Sequence, residues 1–179
     1  MPNLQQIANK RDACKEAVVW LKSYDDPKSA WNACERGDWM LWWAGQFAGR
    51  PGDDKRRPLV LAACECVRLA LPFVKKGEAR PLAAIEMAER WARREGDVSL
   101  EDVRKAADAA YAATYADAAY ADATYAAAYG YAAYAAYAAA DAAAYAAYAA
   151  AAYARKDTLK QCADIIRKHY PNPPEAPDE

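Results

Sequence analysis

Apolar positions along the first hundred residues recur every three or four places, the spacing of a helix face turned toward a core. Leu4, Ile7, Cys14, Val18 and Leu21 follow it and predict one helix over about 4–23, ended by Asp25-Asp26-Pro27. A second helix is expected from about Lys28 to Arg36, with Gly37 as the residue that closes it. Asp38 then caps a third, Trp39 to about Ala48, in which Trp39, Trp42/Trp43 and Phe47 share the 3–4 spacing of a core face. An exposed tryptophan ridge for a partner is the other reading of that spacing. Gly49–Asp54 reads as a loop by its turn residues. A fourth helix, about 56–75, tolerates Pro58 in its first turn and is ended or kinked by Pro72. Pro81 opens a fifth, about 80–95, closed by Gly96. Ser99 is a good N-cap for the long block beyond it, with Glu101 and Asp102 near the positive end of the helix dipole. The last helical turns end at His169-Tyr170, before Pro171 and a frayed PNPPEAPDE tail.

Between these outer parts lies a different kind of sequence. Residues 106–154 comprise 31 Ala, 11 Tyr, four Asp, two Thr and one Gly. The block is of low complexity but rich in the best helix former, with only Gly130 to interrupt it. Asp108, Tyr111, Tyr115, Asp122, Tyr125 and Tyr129 share one helical stripe; Tyr134, Tyr137, Asp141, Tyr145 and Tyr148 share a second. The second is rotated by roughly 100–130° from the first at about 100° per residue. A single helix from 99 to 169 would be about 105 Å long, so a hairpin turning near Tyr129-Gly130-Tyr131 is the more compact arrangement. Alanine faces let helix axes approach closely, and tyrosine adds contact area with a hydroxyl that needs a partner or water. The stripes therefore read either as packing of the bundle or as a Tyr/Asp recognition surface.

The expected fold is all-α, a bundle of about seven helices with a long Ala/Tyr-rich helical hairpin. It forms one domain over 1–170, with short helices over 1–98, the Ala/Tyr-rich part over 99–170 and a flexible Pro-rich tail over 171–179. The length of 179 residues agrees with one domain, and scarce β-branched residues leave little for a sheet.

Charge changes this picture locally. The chain nearly cancels, with 24 Lys+Arg against 25 Asp+Glu, so a protein that coats nucleic acid is not expected. Residues 1–105 nevertheless hold 19 basic and 16 acidic side chains, whereas 106–154 hold no basic residue and four Asp. Lys55-Arg56-Arg57 and Arg90, Arg93 and Arg94 are the natural intramolecular counterparts of those aspartates.

Little catalytic chemistry can be assembled. His169 is the only histidine, and no Ser–His–Asp set accompanies it. Cys64 and Cys66 point about 200° apart on a helix and cannot share a metal. All five cysteines read as small buried hydrophobes with reduced thiols. Lys10, Arg11 and Asp12 interrupt any signal peptide, and no apolar run reads as a membrane span, so a cytoplasmic location is expected. A non-enzymatic protein without metal or cofactor is the expectation. Its partner-binding candidates are Asp108, Tyr111, Tyr115, Asp117, Asp122, Tyr125, Tyr134, Tyr137, Asp141 and Tyr145, an acidic surface suited to a basic protein partner. Self-association through Ala/Tyr faces, giving a homo-oligomeric scaffold, is the alternative.

The segments AWNACERGDWMLWWAG (Ala30–Gly45), LVLAACECVRLALPFV (Leu59–Val74) and PLAAIEMAERWARREGDVSLEDVRKAADAA (Pro81–Ala110) occur in that order. They are followed by the Ala/Tyr block and by ARKDTLKQCADIIRKHYPNPP (Ala154–Pro174). Together they resemble the bacterial family of Imm-5-like putative immunity proteins, over about Asp12 to Pro174. That resemblance implies a protein that binds and blocks a cognate toxin, and it brings no catalytic residues.

Overall fold

A computed structural model of the chain describes residues 4–50, 52–74, 76–113 and 151–175. These form eight α-helices and no strand: α1 (Leu4–Lys10), α2 (Lys15–Leu21), α3 (Pro27–Ala33), α4 (Gly37–Phe47), α5 (Arg57–Arg68), α6 (Arg80–Arg93), α7 (Leu100–Ala113) and α8 (Ala151–His169). Single 3-10 turns lie at Asp54–Arg56 and Leu71–Phe73. The fold is all-α, as the apolar spacing predicts. The turn expected at Tyr129-Gly130-Tyr131 lies outside the described residues.

Helix α5 is central. It packs on α6 through one face and on α8 through another, while α6 carries α7 and α8 carries α4. The shared core is one cluster that includes Leu41, Leu59, Val67, Ile85, Val103 and Ile166. Buried alanines line the α5, α6 and α7 contacts (Ala62, Ala63, Ala84, Ala88, Ala107, Ala110). Small side chains let these axes come close, so dispersion contact replaces the area that leucines would bury. Ile85→Val, which removes one methylene from this close-packed region, is expected to cost about 1 kcal/mol in urea unfolding. No measurable loss would mean that α5 and α6 are less tightly packed than described.

Side-chain caps set the starts of α3 and α7. The Asp26 carboxylate accepts from the Ser29 backbone N–H at 2.9 Å, with Pro27 as the first helical residue of α3. At α7, Ser99 Oγ accepts from the Asp102 N–H at 3.1 Å, and Asp102 accepts in turn from the Ser99 N–H at 2.9 Å. This reciprocal box starts the helix where Ser99 predicts it.

Several boundaries differ from the sequence expectation. The first helix is two, because Asp12 turns left-handed (φ 58°) and the N–H groups of Asp12 and Ala13 bond back to Asn9 and Ala8. That pattern closes a helix, and aspartate tolerates it. Helix α6 ends the same way at Arg94 (φ 58°), before Gly96, with Glu95 N–H bonding to the Arg90 carbonyl at 2.9 Å. Helix α3 stops at Ala33 because Cys34 is extended, and Gly37 is the first residue of α4 rather than the end of α3. Asp38 does not cap α4; its carboxylate lies on the Arg36 guanidinium, 2.8 Å from Nε. On α4 the buried apolar side chains are Met40, Leu41 and Ala44, continued by Ala48 just past its end, one step round from the tryptophans expected there. Helix α5 ends at Arg68, with Pro72 in the 3-10 turn beyond it.

Arg167 of α8 fastens α3 to the bundle. It donates to the carbonyls of Trp31 (3.3 Å) and Cys34, placing a cation at the negative end of that helix.

Candidate functional site

Of the ten residues expected to meet a partner, Asp108 is exposed on α7, and Tyr111 follows it on the same helix one turn on. Tyr115, Asp117, Asp122, Tyr125, Tyr134, Tyr137, Asp141 and Tyr145 lie outside the described residues.

Among the described residues, four arginines of the basic clusters find partners within the helical bundle. Asp54 sits between Arg57 (2.8 Å) and Arg94, and both guanidiniums hold its carboxyl below the usual carboxylate range. Arg57 also stacks 4.6 Å over the Trp91 ring and donates to the Trp91 carbonyl, joining the start of α5 to the end of α6. Arg93 reaches Glu89 at 3.4 Å, and Arg56 donates to the Gly49 carbonyl at 2.6 Å. These arginines serve the bundle's own seams.

Chemistry at the remaining singular residues is structural. His169 Nε2 lies 2.8 Å from Glu65 Oε1, an α8–α5 contact. Cys64 faces the Ile85 carbonyl on α6, while Cys66 faces the Cys162 carbonyl on α8, each at 3.9 Å. The two thiols point to opposite sides of α5, as their spacing requires. Burial pushes the Cys34 thiol up to about 11 and raises those of Cys64 and Cys66 as well, leaving little thiolate for chemistry. Cys14 departs from the expectation: it is exposed, just before α2. Among the described residues no His/Cys/Asp/Glu group could hold a metal, and no helix is long and apolar enough to cross a membrane.

At the tryptophans of α4, whose second sequence reading is a partner-binding ridge, the structure forms a groove. It is open and apolar and runs between α1–α3 and α4, lined by Trp20, Trp31, Trp39, Trp42, Trp43 and Pro173 together with aliphatic side chains. Trp20 and Trp39 stand 5.9 Å apart, and Trp42 and Trp43 6.3 Å. The Arg36 guanidinium lies 4.3 Å over the Trp39 ring and the Arg11 guanidinium 4.5 Å over Phe47. After α8 the chain returns to this wall. Trp31 Nε1 donates to the Tyr170 carbonyl at 2.9 Å and Trp43 Nε1 to the Pro174 carbonyl at 3.3 Å. The signal for this was three tryptophans within five residues of α4 and four prolines in the last nine residues. Neither motif points to the other without the fold.

Comparison with known proteins places most of this chain. The family model described as Imm-5 like putative immunity protein matches residues 50–175, from the loop before α5 through α8. The tryptophan-rich segment of α3 and α4 lies ahead of that match. No curated protein and no solved structure matches the chain. With well over half of its length covered by the family model, the chain belongs to the Imm-5 like putative immunity protein family.

Proposed function

We propose that this protein is an immunity protein that neutralises a cognate bacterial toxin by binding it, without catalysis, in the cytoplasm of the cell it protects. The observation that carries this reading is the family match over 50–175, a span that includes the entire Ala/Tyr block. Four aspartates with no Lys or Arg among residues 106–154 make that block the proposed contact surface, and a basic toxin the proposed partner. Opposite charge across an interface steers encounter and selects partners more than it adds raw affinity. Tyrosines beside the aspartates supply rigid contact area at low entropic cost. Exposed Asp108 on α7 begins this surface.

The test is to isolate the protein captured by the tagged chain from its own host, then express that protein with and without the chain. Growth arrest that the chain relieves is the expected result. Asparagine at Asp108, Asp117, Asp122 and Asp141 together is expected to weaken the complex about tenfold at low ionic strength and to flatten its salt dependence. A captured protein whose toxicity persists beside the chain, or an unchanged salt profile in the fourfold variant, overturns the toxin or the surface respectively. Light scattering alongside tests the competing self-assembly reading, which a strict monomer at high concentration removes.

A further inference from the structure

The residues that line the tryptophan groove lie outside 106–154 in the sequence, and the groove does not depend on the toxin reading. Its wall is apolar, yet the groups that meet the returning chain are indole N–H donors, one at each of two carbonyls. The segment they hold is Tyr170-Pro171-Asn172-Pro173-Pro174. Proline fixes φ and has no N–H, and Tyr170, Asn172 and Pro173 each precede a proline, which excludes helix and favours extended backbone. Such a segment shows bare carbonyls to donors and ring faces to aromatic slots, having lost most of its chain entropy beforehand. Trp–carbonyl bonds flanking an apolar slot are the chemistry by which proline-rich segments are read.

With the chain's own segment in place an open groove remains, lined by Pro173 together with Trp20, Trp39 and Trp42. Among the described residues no indole N–H of these three donates to a protein group. We propose that the groove between α1–α3 and α4 is a docking site for a proline-rich extended segment of a protein partner, and that Pro171–Glu175 is a resident occupant competing for it in cis.

The competition has a size. A tethered segment presents itself at an effective concentration on the order of 1 mM. A peptide with an intrinsic Kd of about 100 µM is then weakened about tenfold while the tail is seated.

The probe is a labelled peptide of the tail itself, YPNPPEAPDE, titrated by fluorescence anisotropy into the full-length chain and into the full-length Pro173→Ser/Pro174→Ser variant. The variant is expected to bind about tenfold more tightly than the natural chain. A peptide with every proline replaced by alanine should not bind, and Trp43→Phe, which keeps a ring and removes the N–H donor, should weaken binding to the tail variant. Circular dichroism establishes that each variant is folded. Equal binding by the alanine peptide, or no gain in the tail variant, overturns the proposal. So does concentration-dependent dimerisation of the natural chain that the tail substitutions abolish, since a second copy's tail would then be the occupant.

Discussion

Gly37→Ala is expected to destabilise the fold by about 3 kcal/mol or more, at or beyond the usual limit for overpacking. A Cβ at this position falls well inside contact distance of the Cys162 Cβ, 2.8 Å from the Ala163 nitrogen and 2.9 Å from the Leu159 carbonyl oxygen. Two of the three obstacles are backbone of α8, so no rotamer change relieves the clash. Helices α4 and α8 must separate, and that opens the core around Leu41 and Ile166. Gly45→Ala, eight residues along the same helix, is the control. Its Cβ would meet only Leu59 Cδ2 at 3.9 Å, ordinary contact. There the change is expected to stabilise by about 0.5–1 kcal/mol, since glycine in a helix costs backbone entropy. Urea unfolding followed by tryptophan fluorescence measures both. Similar effects at the two glycines would mean that α4 and α8 do not approach as described.

Arg68→Ala is the second large effect, and its size depends on pH. Glu89 lies between α5 and α6, its side chain 7% exposed, held by Arg68 at 2.8 and 2.9 Å and by Arg93 at 3.4 Å. Burial raises its carboxyl pKa, but the Arg68 hydrogen bonds and the two positive charges outweigh that and leave it below the ordinary value. A carboxyl lowered in the folded state stabilises above its unfolded pKa, and that contribution fades as pH falls through the folded one. Removing Arg68 strands the carboxylate. A fully buried pair broken this way costs about 3–5 kcal/mol. Arg68 is 36% exposed and Arg93 remains, so solvent screening reduces the expected loss to about 2 kcal/mol at pH 7. The deficit should shrink as pH falls through the carboxylate range, because the carboxylate stranded by the substitution takes up a proton before the one that Arg68 holds. Unfolding at pH 7 and pH 3.5 checks this, and an equal deficit at both would remove the charge from the explanation.

How much of this is legible in the chain depends on how far apart the interacting residues lie. Helix starts made by adjacent residues can be read directly: Asp26-Pro27 at α3 and Ser99 with Asp102 at α7 are local chemistry. Ends made by left-handed non-glycine residues cannot, so the pattern runs past Asp12 and Arg94 to later breakers. Gly37 resembles a helix terminator because glycine usually serves there. Its real constraint is the backbone of α8, far along the chain. The tryptophans of α4 are one step out of phase with its buried face for a related reason. Met40, Leu41, Ala44 and Ala48 belong to the core that α4 shares with α5 and α8, and the larger rings line the groove.

Composition and near neighbours suffice for the helical class, the positions of the local caps and the charge contrast between the Ala/Tyr block and its surroundings. All of these arise within a turn or two of chain. Three further features needed the assembled bundle. Arg57 and Arg94 pair with Asp54 and Arg93 with Glu89, Cys64 and Cys66 face different helices, and the proline-rich end lies on a tryptophan wall. Each depends on which helix faces which, and that is settled by packing between residues widely separated in the chain.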